Sequence, residues 1–357
     1  MEQKNNSLKD FSLRTLIVIG ILLLTAAITI ITWYSLDVIL LIFAGILLAI
    51  TLRGISQYIS GYLPFSNKLW LTVTILLGFS SLIFGFWYFG PHVARQINVL
   101  SDSTLNSLNH LLDEIRKFDI GKKIISEAAK SFEETQKLNI LARITGIFSS
   151  TLSLLINLLI VLFVGLYTAY EPKQYVDGFI RLVPISYRKR MKEIIISVEH
   201  ALRWYIIGRI LSMISIGIFT LIGLWLLDVP LAFSLATLAA LMTFIPYLGP
   251  ILSATPAILI ALSISPAMAL YVALLYTGIQ LIESYLITPL IQLRAVSLPP
   301  VLTIATQIIL GIVAGGIGLV MATPFTVMVI VVIQTVYIED ILGDTIPLLG
   351  QHSENDS

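Results

Sequence analysis

No cysteine occurs in the 357 residues, which excludes disulfides, thiol chemistry and Cys-ligated metal together. Charge is also scarce. Charged residues make up 12% of the chain, against about a quarter in a soluble globular domain, while hydrophobic residues make up 57% and mean hydropathy is +0.93. This composition predicts an all-α polytopic membrane protein, because lipid admits backbone as helices or closed barrels and apolar runs of spanning length recur here. A formal net charge of +1 leaves no basic field for nucleic acid. The loop GxxxxGK[ST] is missing, so an ion or solute gradient would have to drive uphill movement. His92, His110, His200 and His352 are scattered, lie outside the apolar core and form no HExxH. They speak against both a metalloprotease and an intramembrane Ser–His enzyme. Asp37 is the one aspartate near a span, where an aspartyl protease needs two. No catalytic residue, cofactor or metal site is expected.

What the chain has is a series of apolar segments. Lys4, Lys9 and Arg14 precede a run from Leu16 to Ile31 that is too long for a signal core, so it is expected to stay as the first helix. About eight transmembrane segments are predicted, with broken or re-entrant helices in the C-terminal half. Residues 1–91 hold the first three, at about 13–33, 36–52 and 69–89. Residues 92–146 alternate Arg95, Arg116, Lys122 and Arg143 with Asp102, Asp113, Glu127 and Glu133, and are expected to be an extracytoplasmic amphipathic helical insert. Residues 147–203 give a fourth span and a basic amphipathic helix, with Arg188, Lys189, Arg190 and Lys192, assigned to the cytoplasm by the positive-inside rule. Residues 204–340 form the expected transport core, and 341–357 a cytoplasmic tail. The predicted location is a bacterial or archaeal cytoplasmic membrane, crossed many times, with both termini cytoplasmic.

The transport core is the informative part. Segments 231–245 and 251–263 are each too short to cross alone, since a span needs about twenty residues. Between them Pro246, Tyr247, Gly249 and Pro250 break the helix, giving either one interrupted span or a re-entrant hairpin. In both cases the freed backbone groups must face protein or a wet cavity. The next span carries Gln280, Glu283 and Ser284 at helical spacing on nearly one side. Residues 301–338 bear no charge and are too long for one straight span, and the break is expected at 315–324. There Gly315, Gly316 and Gly318 would let another helix approach, and Pro324 would start the last piece. Thr303, Thr306 and Gln307 share a side of its first half. Arg209 enters apolar sequence near the cytoplasmic end of the fifth span, where it can snorkel, form an ion pair or bind an anion. Glu283, Gln280, Arg209, Thr303 and Gln307 are therefore the candidate path residues. The structural alternative for Glu283 is a pair with Arg294 or Arg209.

YIIGR at 205–209, IPYLGP at 245–250, Glu283 with Pro289, LPP at 298–300 and GGIGLVMATP at 315–324 stand in order. With the overall layout over about 15–340, they resemble the autoinducer-2 exporter (AI-2E, or PerM-like) family. The resemblance implies an eight-helix permease that forms a homo-oligomer, a pentamer being the candidate size. It also places the family's seventh-span glutamate at Glu283 and its PYxGP turn at Pro246, Tyr247, Gly249 and Pro250. Some members export autoinducer-2, and others exchange sodium or lithium for protons. Arg209 departs from the family, which often has glutamine there, and an arginine beside the path would disfavour cations.

Three functions follow as expectations. The first is a secondary transporter or facilitator of a small polar solute, with autoinducer-2 as the named candidate. The second is Na+(Li+)/H+ antiport at Glu283. The third is a non-transporting scaffold whose insert binds an envelope partner. Expected partners are membrane lipid, a small-molecule or cation substrate and further copies of the chain.

Overall fold

The structure, a computed structural model, describes residues 35–60, 69–78, 151–289 and 298–344, together with 19, 20, 25 and 80. Most of the expected first span, the 92–146 insert, about half of the third span, Arg294 and the tail after 344 lie outside the described residues. Among the described residues every regular element is helical.

The chain runs through α1 (Leu36–Ser60), α2 (Leu69–Gly78), α3 (Thr151–Tyr170), α4 (Pro172–Arg181) and α5 (Arg188–Leu226). It continues through α6 (Ala232–Met242), α7 (Leu248–Ile264), α8 (Pro266–Ile282) and α9 (Pro300–Val332). Two of these run on as π-helix, α8 through Glu283–Ile287 and α9 through Ile333–Glu339. By length and composition Leu36–Ser60, Ile185–Leu226, Pro266–Ile287 and Pro300–Glu339 are apolar and long enough to cross a membrane. Leu69–Gly78, Ile156–Tyr170, Ala232–Met242 and Leu248–Ile264 are shorter apolar helices.

Helix α1 is longer than the apolar run 36–52 suggests, because its polar end is held rather than frayed. Arg53 donates to the carbonyl of Ala169 at the end of α3 (3.2 Å), and Arg203 on α5 bonds to Gln57. Small residues let α1 and α3 touch: a Cβ at Gly45 would stand 2.7 Å from Val164, and one at Gly165 would stand 2.8 Å from Leu48. The basic amphipathic stretch and the fifth span form a single α5 of 39 residues, roughly 58 Å long at 1.5 Å per residue. About half of that exceeds the ~30 Å hydrocarbon layer.

Two helical hairpins meet beside α5. In the first, α6 and α7 fold back on each other. Leu235 early in α6 clusters with Ala257, Ile260 and Ala261 late in α7, and with Ala269 and Val272 at the start of α8. The turn, Thr243 to Tyr247, needs Tyr247 in the left-handed region (φ 62°), and a Cβ at Gly249 would collide with the Met242 carbonyl. Of the two forms compatible with the sequence, the observed one is therefore the hairpin. Its arms, 11 and 17 residues, are roughly 16 and 25 Å long.

The second hairpin lies within α9. Ala314 (φ −119°, ψ 16°) and Gly315 (φ 57°, ψ −138°) leave helical geometry and reverse the chain. Gln307 Nε2 then reaches Thr323 Oγ1 at 3.3 Å across 16 residues, which a straight helix would separate by roughly 24 Å. A spanning-length apolar segment is thus two antiparallel arms, 300–313 and 316–332. Two expectations need correction here. Pro324 lies inside the second arm and does not start it. Among the described residues the glycines do not meet a separate helix either: Gly318 abuts the Leu310 carbonyl of its own hairpin, while Gly315 and Gly316 have open space where a Cβ would stand. Gly315 is needed for its positive φ.

Hairpin two packs on α1 and α5 through Leu40, Phe43, Leu47, Leu202, Ile206, Met321, Val327 and Val331. Its end is clasped to the start of α5. Arg190 reaches Glu339 at 2.6 Å and Asp340 at 2.9 Å, and donates to the Thr335 carbonyl at 3.2 Å.

Candidate functional site

The tip of hairpin one, the first arm of hairpin two, α5 and the π-helical end of α8 converge on a cavity of about 280 Å³. Each wall follows from local sequence. In α5 the run YIIGRILS puts Tyr205, Gly208, Arg209 and Ser212 on one face at spacings of three and four. In α8 the π-helical turn begins at Glu283 itself, and widening the helix there re-aims the side chains that follow, as such bulges do at functional sites. Hairpin one contributes Thr243, Pro246, Tyr247 and Pro250, with Pro250 in the first turn of α7, where proline fits. Hairpin two contributes Thr303 and Thr323.

The charged pair is Arg209 with Glu283. Arg209 Nη1 stands 3.7 Å from Glu283 Oε1 and donates to the Thr243 carbonyl at 3.3 Å. Gln280 Nε2 donates to Glu283 Oε2 at 2.7 Å. Glu283 is 6% exposed, so without a cation beside it the carboxylate would be very costly to keep charged at this depth. The guanidinium also lies 6.0 Å from the centre of the Tyr205 ring, within reach of its electron-rich face. Tyr205 Oη is buried and has no hydrogen-bond partner among the described residues.

The tip of hairpin one is held from two sides. Arg209 takes the Thr243 carbonyl, and Gln307 takes the Pro246 carbonyl at 3.1 Å. These are carbonyls released by the helix break, and side chains of other elements satisfy them in place of water.

Of the five residues expected on a path, Glu283, Gln280, Arg209 and Thr303 line the cavity together. Gln307 does not. It is fully buried behind the wall and clamps hairpin tip to hairpin arm. Its shared side with Thr303 is real, but helical periodicity does not say which neighbour that side meets. Tyr205, Ser212, Thr243, Thr288 and Thr323 complete the wall, and sequence reasoning does not single them out. The available signal is a hydroxyl on the same helical face as a charged residue: Ser212 follows Arg209 by three positions, and Thr288 follows Glu283 by five in a widened helix.

Residues 21–338 match the family described as AI-2E family transporter. Over 200 residues the chain is 26% identical to the putative transport protein YueF of Bacillus subtilis, covering 56% of this chain and 54% of that one. It is 32% identical over 145 residues to the putative transport protein YrrI of the same organism, covering 41% of each. A putative transport protein of Thermotoga maritima is 22% identical over 287 residues, covering 79% of this chain and 86% of that one. The matched part spans about half the length of the first two relatives.

Proposed function

The chain belongs to the AI-2E transporter family, and from that premise we propose that it is a secondary transporter or facilitator of a small polar solute, which passes through the cavity between the two hairpins. The observation that carries this is the meeting of the helix break at the tip of hairpin one with the π-helical end of α8 and the arms of hairpin two at a buried, internally neutralised polar cavity. Transporters commonly bind substrate where discontinuous helices meet near mid-membrane. In this reading the basic start of α5 faces the cytoplasm, hairpin one is re-entrant from the far side and hairpin two from the cytoplasmic side. Replacing two of eight crossings by re-entrant hairpins leaves both termini on the cytoplasmic side. Autoinducer-2 is one candidate solute of this polar, uncharged kind.

Na+/H+ antiport at Glu283 has less support. An antiport carboxylate must be free to take a cation, and here Arg209 already neutralises it. The scaffold reading concerns the 92–146 insert, outside the described residues.

The absence of cysteine makes the direct test straightforward. Single cysteines at Ser212 and Thr288, in the full chain in oriented vesicles, would be challenged with a membrane-impermeant thiol reagent from each side. Labelling of both positions from one side in one state and from the other in another supports alternating access. Positions that stay unlabelled from both sides in every state refute a path here.

A further inference from the structure

The charges in the cavity are matched, but their hydrogen-bonding capacity is not. A guanidinium has five N–H donors. Among the described residues Arg209 uses one hydrogen bond, to the Thr243 carbonyl, and its approach to Glu283 at 3.7 Å is beyond hydrogen-bond contact. Glu283 accepts from Gln280 on Oε2, while Oε1 has only that distant arginine. Tyr205 Oη, on the same wall and 8% exposed as a residue, lies beside Arg209 and Thr323 but meets no hydrogen-bond partner in good geometry among the described residues. A buried donor left open, as Tyr205 Oη is, is costly, the free positions of Arg209 and Glu283 face the same cavity, and a bound group that completes all three is favoured.

The open positions specify their guest. Free donors on Arg209 and Tyr205 ask for an acceptor, best a carboxylate, which guanidinium binds in bidentate fashion. The free oxygen of Glu283 asks for a donor, best an ammonium. We infer that the solute of this cavity is a small zwitterion of amino-acid size, its carboxylate on Arg209 and its ammonium on Glu283. This rests on the reading of the cavity as a solute path. Such a guest replaces one loose ion pair with two charge-assisted pairs, whose hydrogen bonds are about twice as strong as neutral ones. It also keeps the cavity neutral, so no net charge is carried through a low-dielectric interior. A simple cation would meet Arg209 and a simple anion Glu283, while a neutral polyol would form only the weaker contacts. The hydroxyls of Ser212, Thr288, Thr303 and Thr323 provide the rest of a polar lining. At about 280 Å³ the space lies at the small end of ligand cavities.

Four three-carbon solutes isolate the two charges. L-serine carries both, glycerate lacks the amine, serinol lacks the carboxylate and glycerol lacks both. Calorimetric titration of the full-length protein in detergent should show L-serine binding at least about tenfold more tightly than the other three, the scale of one charged hydrogen bond. Glu283→Gln should turn the preference toward glycerate, and Arg209→Gln toward serinol. Glycerol binding as tightly as serine, or serine preference unchanged in both variants, overturns the inference. If either variant fails to fold, the wild-type ranking decides alone. Binding by none of the four also overturns it, while labelling at Ser212 and Thr288 independently decides whether the cavity is a path at all.

Discussion

Arg190 and Arg209 lie on the same helix, yet their surroundings differ. Arg190, near the start of α5 and with its side chain 32% exposed, has Glu339, Asp340 and Glu193 within 3.2 Å and also donates to a backbone carbonyl. Arg209, 17% exposed, has one carboxylate at 3.7 Å and one carbonyl at 3.3 Å. Elementary electrostatics would favour the opposite arrangement, since an arginine near water tolerates open donors and a buried one does not. The crowded site ties the start of one helix to the end of another, and its cation is already matched by carboxylates. The sparse site keeps open donors on the wall of a cavity, which is what a binding site requires.

The largest test of this contrast removes one partner of the buried pair. Glu283→Leu should cost about 3–5 kcal/mol, since it leaves a guanidinium uncompensated at depth. Adding Arg209→Met to it should recover most of the loss, as neutral replacement of a buried pair often does. Thermal unfolding of the two single variants and the double variant in detergent measures this. A double variant as unstable as the sum of the singles would show that the two groups do not act as a pair. A smaller effect separates charge from shape: Arg209→Lys retains the cation and loses the planar fork, so L-serine affinity should fall about tenfold while the unfolding temperature stays near wild type. Equal affinity would mean that the fork is not what binds. The smallest effect belongs to the clasp. Arg190→Gln should cost about 1 kcal/mol, because pairs this exposed are screened by solvent. That cost should shrink further between about 0.05 and 0.5 M salt, whereas the cost of Glu283→Leu should not. Salt-insensitive clasp energetics would erase the distinction between the two arginines.

Several of these features can be read in the sequence for identifiable reasons. The two prolines and glycine of IPYLGP, flanked by pieces too short to span, require a discontinuity, because lipid does not satisfy a freed carbonyl. The overlong chargeless stretch after Pro300 requires another. Glu283 stands out because carboxylates are costly in spans. Which groups answer these demands is a tertiary matter. Arg209 lies 74 positions before Glu283, and nothing local distinguishes it from Arg294 as a partner. The π-helical turn at Glu283 has no side-chain signature of its own. Pro324 reads as a helix start because prolines favour that position, but packing of the second arm tolerates it within the helix. The Gln307 side chain reads as part of a path and serves as a clamp, since both roles need a polar group on the same helical side.

Helix α5 also has a mechanical consequence. Arg190 and Arg209 are 19 positions apart on one uninterrupted helix, roughly 28 Å along the axis. A tilt of α5 by about 2° about its clasped end would displace Arg209 by about 1 Å at this helical rise. That displacement is the difference between a 3.7 Å approach and a hydrogen bond of about 2.8 Å. A rod of this length turns a small angular change into making or breaking a contact at the cavity.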